Sequence, residues 1–164
     1  MKRMKQCRTM QVAGLCAALM LPGLASAITQ VTVKVTLVAP PPCVINNDQP
    51  ITVEFGDVMT RRVDGTNYRT PIDYALDCTG ATNNAMTLTV TGTPMTGAPA
   101  ALQTSKTGLG VKLQQGSNDL TINSPINFTY PNKPALFAVP VKQSGTTLTT
   151  GEFTAAATMS VAYQ

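Results

Sequence analysis

Few side chains in this sequence could do chemistry, and their spacing narrows the choice further. The 164 residues contain no His and no Trp. Without His there is no His-based triad, no imidazole acid–base pair and no Cys/His zinc site. Ser105, Ser117, Ser124, Ser144 and Ser160 lack the G-x-S-x-G turn that exposes a nucleophile. No phosphate-cradling loop of the GxxxxGK[ST] or GxGxxG type occurs, and Gly108-Leu109-Gly110 reads as a loop beside a strand. Asp73 and Asp77 share one face of a strand pattern, but a lone outward pair makes a poor glycosidase dyad. Asp57, Asp64 and Asp119 lie near Asn or Gly without the spacing of a calcium loop, and read as turn residues. Catalytic, cofactor-binding and metal-ligating residues are therefore all expected to be none. Arg61, Arg62 and Arg69 form the one basic cluster outside the N-terminus. It reads first as solvated surface, and otherwise as a contact for a glycan or a neighbouring protein.

The cysteines carry the remaining chemistry. Lys2, Arg3, Lys5 and Arg8 precede an apolar run over 12–21, followed by Pro22-Gly23 and Ala25-Ser26-Ala27. A basic start, a short apolar core and an A-x-A end make a secretory signal peptide, expected to be cleaved after Ala27. The chain carries 12 Lys and Arg against 8 Asp and Glu, and the four excess positive charges all lie in this leader. Residues 28–164 are balanced, so a polyanionic partner loses its support and neither nucleic acid nor membrane insertion is expected. Cys7 and Cys16 belong to the leader, which leaves Cys43 and Cys78. Two cysteines in an exported chain read as one structural disulfide, since a redox pair prefers C-x-x-C spacing.

Positioning falls to strands. Apolar residues alternate with polar ones over 31–37, 51–55, 72–78, 86–90, 109–113, 120–122, 137–141 and 153–163. Between them stand turn signals such as Asn46-Asn47-Asp48, Asp64-Gly65, Gly92-Thr93-Pro94 and Gly97-Ala98-Pro99. About seven short half-buried strands with such punctuation predict a single all-β sandwich.

Its two ends are unusual. Val31, Val33, Val35 and Leu37 make an apolar stripe set apart by Pro40-Pro41-Pro42, a stiff spacer without N–H donors. At the other end, Phe153, Ala155, Ala157, Met159, Val161 and Tyr163 alternate along a stretch with no charge after Glu152 and no Pro. Soluble proteins blunt such an edge. Either the N-terminal strand pairs within its own sheet, or it inserts beside the C-terminal strand of another molecule and propagates a heterologous contact.

These residues resemble the pilins of chaperone–usher fimbriae, of the type 1 and P kind, over the whole of 28–164. The likeness rests on the alternating extension, on Cys43-Val44-Ile45-Asn46-Asn47, on the stretch Ile51–Gly56, and on Cys78 after Tyr74 and Leu76. It rests equally on Gly151, fourteenth from the C-terminus, and on the penultimate Tyr163. One departure is plain: such extensions commonly carry a Gly about seven residues before the first cysteine, and Thr36 stands there, with no Gly in 28–42.

The resemblance implies an incomplete immunoglobulin-like sandwich lacking its last strand, divided into a signal peptide (1–27), a donor-strand extension with its Pro spacer (28–42) and a pilin domain (43–164). It implies a structural, non-enzymatic fimbrial subunit that supports cell adhesion; 28–164 leaves no room for the receptor domain of a tip adhesin, so a shaft, adaptor or minor tip position remains, with a minor or adaptor subunit the expectation. The implied partners are a periplasmic chaperone, an outer-membrane usher and neighbouring subunits, along a route from the periplasm to the cell surface. Val31, Val33, Val35 and Leu37 would be the donor residues. Gly151, Phe153, Ala155, Ala157, Met159, Val161 and Tyr163 would form the strand bound by chaperone or donor. The competing expectation is a small secreted sandwich that binds carbohydrate.

Overall fold

The structure is a computed structural model that describes residues 42–164. The signal peptide, the extension with Val31, Val33, Val35 and Leu37, and most of the Pro spacer lie outside the described residues. Among the described residues eleven strands run in chain order: β1 (Val44–Ile45), β2 (Thr70–Ile72), β3 (Leu76–Asp77), β4 (Ala85–Gly92), β5 (Pro94–Met95), β6 (Ala98–Gln103), β7 (Leu109–Gln115), β8 (Asn118–Asp119), β9 (Pro125–Thr129), β10 (Leu136–Lys142) and β11 (Ala157–Tyr163). The larger sheet has the order β2-β10-β7-β6-β5, with β8 paired to β7. The smaller has the order β11-β4-β9, and β1 pairs with β3 in a separate ribbon. Every pairing is antiparallel.

Period-2 patterning explains how the sheets meet. In β4, Met86, Leu88 and Val90 are buried, and the intervening threonines are only half-buried. Ile126 and Phe128 of β9 add to the same layer. The opposing layer supplies Leu102, Val111, Leu113, Leu136 and Ala138, so the core is the interface between two sheets. Pro140 stands in the middle of β10, where no residue of β2 faces it; β2 covers only Leu136, Phe137 and Ala138. A residue without an N–H is tolerated in such a one-sided stretch.

Several elements depart from the alternation. The pattern over 72–78 predicts one strand, yet the chain leaves the larger sheet after Ile72 and joins the ribbon at Leu76. Tyr74 is buried at that crossing. Residues 120–122 form no strand. Leu120 and Ile122 are buried instead by a loop whose amides donate to Leu113 O (2.9 Å) and Pro99 O (2.9 Å). Cys43 and Cys78 form the expected disulfide and clamp the short ribbon.

Two stretches border the core without joining a ladder. Ile51, Val53 and Phe55 are half-buried against the core and alternate with exposed Thr52 and Glu54, yet they have no strand partner among the described residues. The second is the approach to β11, which begins only at Ala157. There Ser105 N donates to Thr154 O (2.8 Å) and Thr154 N donates to Ser105 Oγ (3.0 Å), anchoring the chain.

Candidate functional site

β11 is an edge strand. One side pairs with β4 from Ala157↔Gly92 to Tyr163↔Met86, and the other has no partner among the described residues. Its far end is well held: Gln164 N donates to Ala85 O (3.2 Å), and Gln164 Nε2 donates to Met86 O (2.9 Å). Tyr163 Oη accepts from Thr82 N (3.1 Å). Among the described residues the edge is thus extended, anchored at its end and unpaired, which are the conditions for adding a strand.

Beside that edge the sandwich is open. A groove of about 1310 Å³ runs between the Ile51–Met59 stretch and residues 148–159. Its floor is core: Val90, Leu102, Leu109, Val111, Leu113 and Ala138. That exceeds the roughly 300–1,000 Å³ of ordinary small-molecule pockets. An apolar floor with no convergent polar groups suits a row of side chains better than a metabolite.

The polar groups sit at the rims. Lys106 Nζ donates to Thr150 O (2.7 Å) and tethers the approach to β11 at Gly151, whose φ is +113°. At another lip Met59 is 63% exposed, and its amide donates to Tyr68 Oη (3.0 Å). Asp57 and Arg61 stand near it on the lining.

Of the residues singled out from the sequence, Gly151, Phe153, Ala155, Ala157 and Met159 line the groove. Val161 and Tyr163 lie outside that lining and pack on the core further along β11. The second wall, Ile51, Val53 and Phe55, was not singled out; its alternation reads as an ordinary strand because nothing in its own sequence marks the missing neighbour. The arginines do not form one free patch. The guanidinium of Arg69 lies 3.3 Å from the centre of the Phe137 ring, and its Nε donates to Gln114 Oε1 (3.1 Å).

The aspartates are turn and surface groups. Asp64 accepts from the amides of Asn67 (2.8 Å) and Thr66 (2.9 Å), and these bonds hold its carboxyl down at about 2. Asp119 accepts from Gln114 and pairs with Lys112 at 3.3 Å, and both lower its pKa. Among the described residues no group of three or more His, Cys, Asp or Glu is placed to hold a metal ion. No helix among them is long and apolar enough to cross a membrane.

A two-sheet sandwich whose last strand position is an open groove defines a pilus subunit. The comparisons with known proteins agree. Residues 29–164 match the family described as fimbrial protein. The fimbrial-like protein YfcR of Escherichia coli strain K12 is 40% identical over 136 residues, covering 80% of this chain and 78% of the relative. YfcQ of the same strain is 39% identical over 140 residues, covering 82% and 86%. Among solved structures, the P pilus adaptor subunit PapF is similar with a TM-score of 0.59 and 30% identity, over 77% of this chain and 98% of that one. The P pilus rod subunit PapA shares the fold, with a TM-score of 0.57 at 22% identity over 82% of this chain and 100% of its own. The chain belongs to the fimbrial protein family and is a structural subunit of a bacterial surface fimbria.

Proposed function

We propose that this subunit polymerises by chaperone-assisted donor-strand exchange. The observation that carries the reading is the apolar groove between the free edge of β11 and the unpaired Ile51–Phe55 stretch. An extended strand placed there would hydrogen-bond to β11 and send alternate side chains to the core floor. Gly151, Phe153, Ala155, Ala157 and Met159 form one wall for it, and Val161 and Tyr163 continue the strand. The chain's own donor is 28–38, presenting Val31, Val33, Val35 and Leu37 to a neighbour. Because donor and acceptor surfaces differ, the contact repeats head to tail and yields a fibre. Residues 1–27 direct export; a periplasmic chaperone then occupies the groove and an outer-membrane usher exchanges it for a subunit's strand. The role is non-catalytic.

The test is expression of residues 28–164 in a periplasm with and without a fimbrial chaperone. The chain alone is expected to aggregate or be degraded, and with the chaperone to be recovered as a one-to-one complex. A chain that is soluble, monomeric and stable by itself would overturn the reading. Removing 28–38 is expected to leave chaperone binding intact and to stop donation. Polymer ladders that survive the deletion would show that the donor lies elsewhere.

A further inference from the structure

Among the described residues the two large apolar side chains left exposed are Val44 and Met59. They stand in different elements, and each has its own pattern of charge. Val44 faces Asp77 across the β1–β3 ribbon, and directly opposed residues share one face. Asp77 Oδ1 accepts from Thr79 N (2.9 Å) and Thr79 Oγ1 (2.6 Å), which fixes the carboxylate beside Val44. Asp48, also exposed, closes the short turn that follows Ile45. No Lys or Arg occurs in 43–48 or 76–80.

Met59 carries the opposite pattern. It opens the turn Thr60–Arg62, in which Arg62 N donates to Met59 O (2.8 Å). Val63, the next residue, is buried and pins the turn to the body. Arg61 and Arg62 are exposed and enter no ion pair among the described residues. Asp57 and Asp64 flank the turn, and the second is occupied by Thr66 and Asn67.

Strand exchange would bring these two ends together. Both pairings of the smaller sheet are antiparallel, so a donor beside β11 runs from its Tyr163 end toward Phe153. It leaves the groove where Phe55 stacks on Phe153, centroids 6.1 Å apart, and where the wall continues to Met59. In the donor's own chain Leu37 is followed by Val38, Ala39 and Pro40-Pro41-Pro42, and then at once by Cys43 and Val44. Three polyproline residues span roughly 9 Å, at about 3.1 Å each. That is about one Debye length at physiological salt, and a stiff spacer holds the distance.

We propose that Met59, Arg61 and Arg62 of one subunit form a second contact, apart from the inserted strand, with Val44, Asp48 and Asp77 of the next, a second copy of this chain. Apolar meets apolar and cations meet carboxylates, a match that exists only head to tail. Three residues a side are far fewer than the roughly 20–30 of a lasting interface. The contact forms because the inserted strand confines both bodies at millimolar effective concentration. Its effect is to fix the angle between successive subunits. The proposal rests on the reading of the groove as acceptor of 28–38.

The experiment uses the full chain, expressed with a fimbrial chaperone and usher, with Met59 replaced by photoreactive benzoylphenylalanine. Illuminating its polymer ladders is expected to join neighbours, with peptide mapping placing the bond in 42–48 or 76–80. Arg61→Glu with Arg62→Glu should cut the yield about fivefold at low salt. Adding Asp48→Arg with Asp77→Arg should recover most of it. Bonds mapped elsewhere on the neighbour, or none in ladders that form, would overturn the contact and leave the acceptor reading intact. A yield indifferent to the reversal would overturn the charge matching. If the reversed variants fail to fold, the mapped bond still decides. Absence of ladders from the native chain would overturn the strand reading, and this inference with it.

Discussion

Tyr74 sits where the chain leaves β2 for β3, and it is only 4% exposed. Its hydroxyl donates to Pro134 O (2.7 Å), and Lys133 Nζ lies 4.3 Å from the ring centre. Burial pushes the phenol from 10 up to about 12. The unfolded chain therefore loses this proton before the folded one does. The resulting stability is fully present below pH 10 and is lost as pH rises toward 12. Tyr74→Phe is expected to lower stability at neutral pH by about 1–2 kcal/mol, because the Pro134 carbonyl loses a buried donor. It should also flatten the fall in stability between pH 10 and 12. Urea midpoints of the strand-complemented protein at several pH values would check both; an equally steep alkaline fall in the variant would contradict the assignment. Asp64 organises its turn differently, because it is exposed and acts through four hydrogen bonds to Thr66 and Asn67. Its lowered pKa means that the charged form supports the turn above about pH 4, and that this support fades as pH falls through about 2. Asp64→Ala should accelerate tryptic cleavage after Arg61 and Arg62, with Asp64→Asn falling between it and the native chain. Identical cleavage rates in all three would remove the turn-holding role.

At the scale of elements, the β1–β3 ribbon has only two paired positions, Val44↔Asp77 and Ile45↔Leu76. So short a ladder does not hold itself together. The Cys43–Cys78 disulfide, spanning 35 residues, supplies what the ladder lacks, roughly 4 kcal/mol on the chain-entropy view. Replacing both cysteines with Ser is expected to cost about 2–5 kcal/mol in the strand-complemented protein, read from denaturant midpoints. A loss under about 1 kcal/mol would mean that packing of Tyr74 and Leu76 suffices. Legibility varies by element for physical reasons. β4, β7 and β10 are readable because one face of each meets the core and the alternation records it. β6 and β9 are not: Ala98-Pro99-Ala100-Ala101 and Pro125-Ile126-Asn127 carry turn residues or small side chains that pair only because β7 and β4 lie beside them. The break in 72–78 is hidden because alternation says nothing of a change of sheet. The β11 wall is legible from its uncharged stripe. The opposing wall is not, since its Phe55 meets β11's approach by stacking on Phe153, almost a hundred positions away in the chain.

For the molecule as a whole, the open groove is both a liability and the means of assembly. Ile51, Val53, Phe55, Phe153 and Met159 along its walls stay half-exposed beside an edge that is unpaired among the described residues, the arrangement that drives aggregation when no partner is at hand. Completing the sheet within one chain should remove both properties together. A strand joined after Gln164 through a tight Asn-Gly turn would run antiparallel to β11 and pass between it and Ile51–Phe55. To reach from Tyr163 back to Phe153 it needs about ten residues, at roughly 3.3 Å each. The strand to use is 29–38 of this chain. Its four inward side chains, Val31, Val33, Val35 and Leu37, would contribute roughly 6–12 kcal/mol before ordering costs, and the turn removes the translational cost of a separate peptide. The fusion is expected to be a monomer that folds without chaperone, unfolds at a higher temperature than the chain complemented by added peptide at micromolar concentration, and no longer takes up strand peptides. Size-exclusion chromatography, thermal unfolding and a labelled peptide would measure the three. A fusion that remains chaperone-dependent or still binds peptide would mean that the missing strand belongs elsewhere on the sandwich.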